Sequence, residues 1–385
     1  MRISFITSRD YRTGTYFRQH NLACELLALG HDVSVLTQGG RHFGVRRQTR
    51  DGVPYIILPS APGNRLIHFG VNPGNIAWRL LSPLSKADVH HLFQPYPNAA
   101  LQWLALKLLK RGRAFFYDWD DLLMNDMSGL LKPKSPKDWW LAKWVGWMER
   151  NLPRRCDVLT TVSEELAERA RALGARRAEV LHNGCATYAP IAKGEARARL
   201  KLPADAFYAG FMGWCGPEID WVLEAAQELA GRMPELRVAF SGRDPAAVAD
   251  LGKYPGLRGR IDYFHFETAE ECRVLNAAID LALIPLANLE FNRFRLPMKF
   301  HDHFAGAVPI LCCDVGEAGR LARTLPGVTL CEPTRSAWSK AFEKTVLRIR
   351  SGAGEPRAEM LAEASALSWK SVAVRLLKIY DETIA

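Results

Sequence analysis

The sequence repeats one pattern twice: a short apolar run, a helix-length segment and a second run rich in β-branched residues. In the first half, Ile3–Ile6 precedes a helix pattern at Phe17–Leu29, and Val33–Thr37 follows. The second half restarts the pattern at Phe207–Met212, with Ile219–Arg232 as its helix. A strand, a helix and a further strand are typical of a βαβ unit, which implies a parallel sheet. The chain is therefore predicted to form two α/β domains.

Further apolar runs extend both predicted sheets. They are Tyr55–Leu58, Val89–Phe93, Ala114–Asp118, Val158–Val162 and Glu179–His182 in the first half, and Arg237–Ser241, Ile261–His265, Leu281–Pro285 and Val308–Cys312 in the second. Residues 184–206 lack periodicity, so we place the linker there. The predicted domains are 1–187 and 188–368, and the amphipathic C-terminal helix 369–385 is long enough to pack back on the first domain.

Length and composition exclude several classes of protein. The 385 residues are 48% hydrophobic, which is ordinary for globular domains and too apolar for a disordered or collagen-like chain. No run of 18 apolar residues occurs, and Arg9 and Asp10 come too early for a signal peptide. The eight cysteines show no CxxC spacing, so a disulfide framework or a structural zinc site is disfavoured. We expect a cytoplasmic location.

The positive charge is confined to the first half. Residues 1–190 carry 26 Lys and Arg against 16 Asp and Glu, whereas residues 191–385 carry 25 of each. Such asymmetry favours an anionic partner for the first half, namely a membrane surface, a nucleic acid or an acidic substrate. A basic surface that only keeps the protein dissolved is the alternative.

Seven short motifs occur in a fixed order along the chain. They are Gly14 after the first strand, Leu-Gly-His-Asp-Val at 29–33, Cys-Asp-Val-Leu-Thr-Thr-Val-Ser at 156–163, Leu-His-Asn-Gly at 181–184, Gly213, Pro297-Met298-Lys299 with Asp302 and Pro309, and Ser368-Trp369. Together they resemble the family-4 retaining glycosyltransferases. The resemblance implies a GT-B fold of two facing, doubly wound Rossmann-like domains with an interdomain cleft.

The same resemblance implies a function. A sugar would pass from a nucleotide-diphosphate donor to a glycan or lipid-linked acceptor with retention at the anomeric carbon, in the synthesis of cell-surface polysaccharide or glycolipid. It further implies no cofactor and no metal. Alternatives are a catalytically degenerate member that binds nucleotide sugar or lipid, and a sugar-nucleotide epimerase. RNA binding would rest on charge alone, because the sequence lacks an RNA-binding signature.

The predicted donor site lies in the second half. The resemblance assigns the donor ribose to Asp302, while Phe294 stands where the family usually has the first acid of a Glu-x7-Glu pair. The usual basic pair after the first strand of this domain is also missing. We therefore predict that Arg295 and Lys299 contact the diphosphate, with Arg293 beside them, because cations stabilise a leaving diphosphate.

Two glycines complete the predicted donor site. Gly14 and Gly213 each follow the first strand of a predicted domain. A glycine there allows the backbone to approach a phosphate closely.

The predicted acceptor side lies where strands of the first sheet end. We expect Asp120 to face the acceptor, with Asp118 and Asp121 supporting it or capping a helix. Asp118-Trp119-Asp120 is also a DxD pattern, so Mn²⁺ or Mg²⁺ binding is the alternative. Of His90 and His91, strand alternation predicts one pointing inward, and His91 is the acceptor-side candidate.

One segment combines tryptophans with basic residues. Trp139, Trp140, Trp144 and Trp147 are interleaved with cations that include Lys134 and Lys137. Tryptophan favours the headgroup level of a bilayer, and cations favour anionic lipid. The sequence predicts membrane contact through Trp139, Trp140, Lys134 and Lys137, at the inner face of the cell membrane, with some of the four tryptophans buried. Packing of the whole helix into the core is the alternative.

Overall fold

The computed structural model describes most of the chain. The described residues are 1–8, 16–39, 44–60, 73–82, 86–123, 136–187, 189–213, 218–242, 251–266, 268–352 and 355–385. They form two compact units, the first made of Met1–Asn183 with Trp369–Ala385 and the second of Gly184–Ser368. The C-terminal helix thus belongs to the first unit.

Unit 1 is an eight-stranded sheet covered by helices. Its strands are β1 (Arg2–Thr7), β2 (Asp32–Gln38), β3 (Arg46–Arg50), β4 (Val53–Leu58), β5 (Val89–Phe93), β6 (Ala114–Trp119), β7 (Val158–Thr161) and β8 (Ala178–Val180). Its helices are α1 (Tyr16–Ala28), α2 (Pro73–Leu81), α3 (Pro97–Leu108), α4 (Pro136–Asn151), α5 (Glu164–Ala172) and the C-terminal α14 (Trp369–Ile384), with a 3₁₀ turn at Pro153–Arg155.

The sheet of unit 1 has the order β3-β4-β2-β1-β5-β6-β7-β8. All neighbours pair in parallel except β3, which pairs antiparallel with β4. Every residue of β5 and β6 is buried, as expected for central parallel strands that helices cover on both faces. The C-terminal α14 packs on α1 and β6.

Unit 2 is a six-stranded parallel sheet of order β11-β10-β9-β12-β13-β14. Its strands are β9 (Phe207–Met212), β10 (Leu236–Ser241), β11 (Ile261–Phe264), β12 (Leu281–Ile284), β13 (Ile310–Cys313) and β14 (Val328–Cys331). Its helices are α6 (Lys193–Leu200), α7 (Ile219–Ala230), α8 (Ala269–Ala278), α9 (Glu290–Phe294), α10 (Met298–Ala305), α11 (Gly316–Ala322), α12 (Arg335–Arg350) and α13 (Arg357–Ala366), with 3₁₀ turns at Leu251–Lys253 and Pro255–Leu257.

The predicted α/β repeats are confirmed, and two predictions of local structure are wrong. The predicted linker 184–206 contains the helix Lys193–Leu200, anchored where Arg197 donates 2.6 Å to the carboxylate of Asp280. Second, the predicted strands did not include β3 or β14. β3 reads Arg-Arg-Gln-Thr-Arg and is an exposed edge strand, so no apolar alternation marks it.

Within the described residues, no helix has the length and apolar character needed to cross a bilayer.

Candidate functional site: two carboxyl groups in two units

The carboxyl end of β6 carries the first group of predicted site residues. Asp118 lies in β6, and Asp120 and Asp121 follow it directly. Asp118 is buried, whereas Asp120 and Asp121 are half-buried. The structure thus places the three carboxyl groups where ligands bind in open parallel sheets, but in very different surroundings.

Asp118 is fully engaged by a residue that the sequence did not single out. Arg18 of α1 donates from Nε to Oδ1 and from Nη2 to Oδ2, each at 2.9 Å, and Thr160 donates from Oγ1 to Oδ2 at 2.6 Å. Two parallel N–H···O bonds are the strongest arrangement for an arginine–carboxylate pair. Asp118 is therefore an anchor of the fold, which corrects its predicted place on the acceptor side.

Arg18 has no donor left for a ligand. Its remaining N–H groups bond the carbonyls of Leu181 at 3.0 Å and His182 at 3.3 Å, and the side-chain oxygen of Asn183 at 3.1 Å. Together with the two bonds to Asp118, these use all five N–H groups of a guanidinium. The Leu-His-Asn-Gly motif is thus held in place by a buried arginine.

His91 is a structural residue, contrary to the prediction. Its Nδ1 lies 2.6 Å from the Tyr380 hydroxyl on α14, and its Nε2 lies 3.1 Å from Thr160 Oγ1. Burial lowers the pKa of His91 to about 4, so the ring is neutral near pH 7. Both His90 and His91 are buried. The alternation argument failed because helices cover both faces of this sheet.

Asp120 has a different environment. Its Oδ1 atom is buried and has no hydrogen-bond partner among the described residues. Burial raises the pKa of Asp120 well above its ordinary range, and the nearby Asp121 and Asp118 carboxylates add to the shift, which Arg18 only partly offsets. The predicted acceptor-side residue is therefore an acid with spare hydrogen-bonding capacity.

A second residue missed by the sequence holds the Asp120 segment in place. Glu149 of α4 is buried, and its Oε1 accepts from Trp119 Nε1 at 3.0 Å and from the Leu123 backbone N–H at 2.7 Å. These bonds fix the chain on both sides of Asp120. A single glutamate in a tryptophan-rich helix carries no sequence signal of this role.

Helix α4 exposes its tryptophans. Trp139, Trp140, Trp144 and Trp147 are between 38% and 68% exposed, so the expectation that some are buried is wrong. Two of them contact cations: Lys143 Nζ lies 3.7 Å above the Trp139 ring, and the Arg155 guanidinium carbon lies 5.8 Å above the Trp147 ring.

The core face of α4 is formed by other residues. Leu141 and Val145 are buried and pack with Tyr96 and Leu123. Of the predicted membrane contacts, Lys134 and the Lys137 side chain lie outside the described residues, as does Gly14 of the predicted donor site.

Asp302 of unit 2 lies in α10, and its carboxyl group is also half-buried. No described residue forms a hydrogen bond or ion pair with its carboxyl group; its backbone carbonyl accepts from Asn276 Nδ2 at 2.7 Å. Asn276 Oδ1 also contacts His303 Nδ1 at 2.7 Å, which fixes this helix. Burial raises the pKa of Asp302 to about 7.

The predicted cations lie around the start of α10. Lys299 Nζ is 4.0 Å above the ring of Phe211, the last but one residue of the buried strand β9. The Arg295 guanidinium carbon is 4.4 Å above the ring of Phe291. Both side chains are half-buried, whereas Arg293 is exposed. The Lys299 contact brings this cation to the strand end that leads into Gly213.

The backbone conformation at position 213 requires glycine. Its φ is +106°, and an added Cβ would meet no atom within 4 Å, so only conformation, not space, demands glycine. Nearby, Glu218 is buried, and its Oε1 accepts from the Ala287 N–H at 2.9 Å and from Asn292 Nδ2 at 3.0 Å. This contact, also missed by the sequence, holds the loop that leads into α9 and Arg295.

Comparison with solved structures defines the class of fold. The chain aligns with sucrose-phosphate synthase from Thermosynechococcus elongatus at a TM-score of 0.73 and 16% identity, over 99% of this chain and 98% of that one. It aligns with Anabaena Alr3699/HepE in complex with UDP-glucose at 0.71 and 13%, over 99% and 100%. WaaG, a glycosyltransferase involved in lipopolysaccharide biosynthesis, gives 0.69 and 14%, over 99% of both chains. At these identities the likeness shows the fold alone, and that fold is GT-B.

A family model matches the sequence of the first unit. Residues 13–184 match the family model described as the glycosyl transferase 4-like domain. No curated protein matches the sequence. The predicted resemblance to the family-4 glycosyltransferases is thus confirmed over residues 13–184, and the chain has the GT-B fold.

Proposed function

We propose that this glycosyltransferase moves a sugar from a nucleotide-diphosphate donor to a glycan or lipid-linked acceptor with retention, in cell-surface polysaccharide or glycolipid synthesis. The observation that carries the proposal is the Asp302 carboxyl group, half-buried and without a partner among the described residues. Such a group can accept two hydrogen bonds from the hydroxyls of a ribose. The structure of Anabaena Alr3699/HepE contains UDP-glucose, which makes a uridine nucleotide the first donor to test.

The leaving diphosphate is assigned to Arg295 and Lys299. Both are half-buried, so their charges are less screened than those of exposed side chains. Arginine binds phosphate oxygens in a bidentate manner and lysine acts as a point charge. We propose that these cations do the work that a metal ion does in other glycosyltransferases. No group of three or more metal-ligating side chains is arranged around a metal position in the described part of the chain.

A donor screen tests this function. Thermal unfolding is followed with UDP-, GDP- and ADP-sugars, with and without EDTA, and one donor is expected to raise the melting temperature by binding the native state. Lys299→Gln should weaken binding of that donor by roughly tenfold, as for loss of a charged hydrogen bond. The exposed Lys340→Gln is the matched control. Failure of every donor to bind, or binding that requires Mn²⁺ or Mg²⁺, contradicts the proposal.

Retention of the anomeric configuration is tested by a separate measurement. The anomeric proton coupling of the product, followed by NMR before mutarotation, should show the configuration of the donor sugar. A product with the inverted configuration would contradict the proposed retention but not the proposed sugar transfer.

We further propose that α4 binds an anionic membrane surface that carries the acceptor. Four exposed tryptophans, two of them beside cations, fit the headgroup level of a bilayer, and the charge surplus of residues 1–190 fits anionic lipid. On a helix, Trp140, Trp144 and Trp147 share one face by their spacing. The opposite face binds the Asp120 segment through Glu149.

Vesicle sedimentation tests the membrane contact. The protein should bind phosphatidylglycerol-rich vesicles at low salt and neutral vesicles much less. Trp140→Ser with Trp144→Ser should reduce this binding, whereas the exposed Leu347→Ser in unit 2 should not. Equal binding to both vesicle types, or none, contradicts the proposal.

A further inference from the structure

The carboxyl groups of Asp118, Asp120 and Asp121 lie at the end of β6, and the guanidinium that pairs with Asp118 has no further N–H group to donate. Arg18 gives two of its N–H groups to Asp118 and the other three to Leu181, His182 and Asn183. Asp120 receives no hydrogen bond from this guanidinium.

Asp120 is surrounded by groups that disfavour a second negative charge. Among the described residues, the titratable and charged groups here are Tyr117 and Asp118 on β6, Asp121 after it, His91 on β5, Arg18 on α1, Glu149 on α4 and Tyr380 on α14. Only Arg18 in this set is a cation, and its charge is matched by Asp118. Ionising Asp120 would add a third carboxylate to those of Asp118 and Asp121 in a half-buried position, which is costly.

The buried Oδ1 atom of Asp120 is a second, independent indication that this carboxyl group is protonated. It lies away from solvent and lacks a hydrogen-bond partner among the described residues. A buried, unpaired carboxylate oxygen carries a much larger desolvation cost than the oxygen of a neutral carboxyl group. The resting state that fits this geometry is the protonated acid.

We propose that Asp120 binds the acceptor as a neutral carboxylic acid, donating a hydrogen bond through its O–H and accepting one from an acceptor hydroxyl, rather than acting as a general base. This inference rests on the proposed function. It assigns the acceptor contact to a group that carries no charge near neutral pH. The raised pKa of Asp120 agrees with it.

Replacement by asparagine separates the two roles, because an amide also donates and accepts hydrogen bonds but cannot take a proton. We expect Asp120→Ala to lower sugar transfer by about 100-fold, within the usual range for loss of such a catalytic contact. Asp120→Asn should recover at least about tenfold of that loss. The exposed Asp32, changed to Ala and Asn, is the matched control.

The pH profile gives a second readout. Wild-type transfer should fall on the alkaline side as Asp120 ionises, and this decline should be absent in Asp120→Asn. An Asp120→Asn enzyme as inactive as Asp120→Ala overturns the inference, because only a charged or proton-accepting residue would behave so.

The protonation state can also be measured directly. In protein labelled with ¹³C at aspartate carboxyl groups, the resonance that Asp120→Asn removes should have the shift of a neutral acid at pH 7. The shift of an ionised carboxylate at pH 7 overturns the inference. If the wild type transfers no sugar, the proposed function falls and the inference with it; if the wild type transfers sugar but the asparagine variant does not, only the inference falls.

Discussion

Asp118 in unit 1 and Asp302 in unit 2 are both predicted site residues, but their surroundings are opposite. Asp118 is buried against Arg18 and Thr160 with three hydrogen bonds, whereas Asp302 is half-buried without a partner among the described residues. A carboxylate whose lone pairs are satisfied in the resting protein stabilises the fold, and one whose lone pairs are available can bind a substrate. The sequence motif around each acid does not distinguish these two cases.

The largest expected effect comes from breaking the paired site. Asp118→Asn leaves the Arg18 charge buried without its counter-ion, which should lower the free energy of unfolding by about 3–5 kcal/mol. Urea denaturation followed by circular dichroism measures the change. Replacing both partners, Arg18→Met with Asp118→Leu, should cost less than the single change, since no charge is left unpaired. A single variant as stable as the wild type would mean that the pair does not anchor unit 1.

A smaller effect is expected at the unpaired site. Asp302→Ala should leave the fold intact and weaken donor binding by roughly 10–100-fold, or about 1–3 kcal/mol, because two ribose hydroxyls lose their acceptor. Calorimetric titration with the donor found in the screen measures it. Asp205→Ala, an exposed aspartate of the same unit, should bind the donor normally. Unchanged affinity in Asp302→Ala would remove the ribose assignment.

The smallest expected effect is the release of a proton from the Asp302 carboxyl group when the donor binds. Its pKa is raised from 3.8 to about 7 by burial, so near pH 7 the carboxyl group is partly protonated. Hydroxyl donors favour the ionised form, so donor binding at pH 7 should release less than one proton. Titrations in two buffers of different ionisation enthalpy measure the release, which should vanish in Asp302→Asn.

The raised pKa of Asp302 also predicts how the free energy of unfolding depends on pH in the absence of donor. The folded chain holds this proton more tightly than the unfolded chain does, because its pKa is higher when folded. The stabilisation is complete below about pH 4 and is lost as the pH rises through about 7. Relative to Asp302→Asn, the wild type should therefore lose stability between pH 5 and pH 8. An equal pH dependence in both proteins would contradict the raised pKa.

The sequence by itself determined the two α/β repeats and most of their strands. Apolar runs such as Val89–Phe93 and Phe207–Met212 are buried on both faces, so composition alone marks them as central parallel strands. The same pattern placed Asp118 and Asp120 at the end of a strand, which is β6 in the structure. The ordered motifs predicted the family resemblance, which the match over residues 13–184 confirms, for the same local reason.

Only the tertiary structure decided which polar residue does what. Arg18 lies 100 residues from Asp118 and 163 residues from Leu181, and Tyr380 lies 289 residues from His91. Such contacts depend on which helix packs on which strand, and no local pattern encodes that choice. Hence His91 and Asp118, equal in sequence terms to Asp120, became buried parts of the fold, while Asp120 and Asp302 kept the unsatisfied oxygens that a substrate can use.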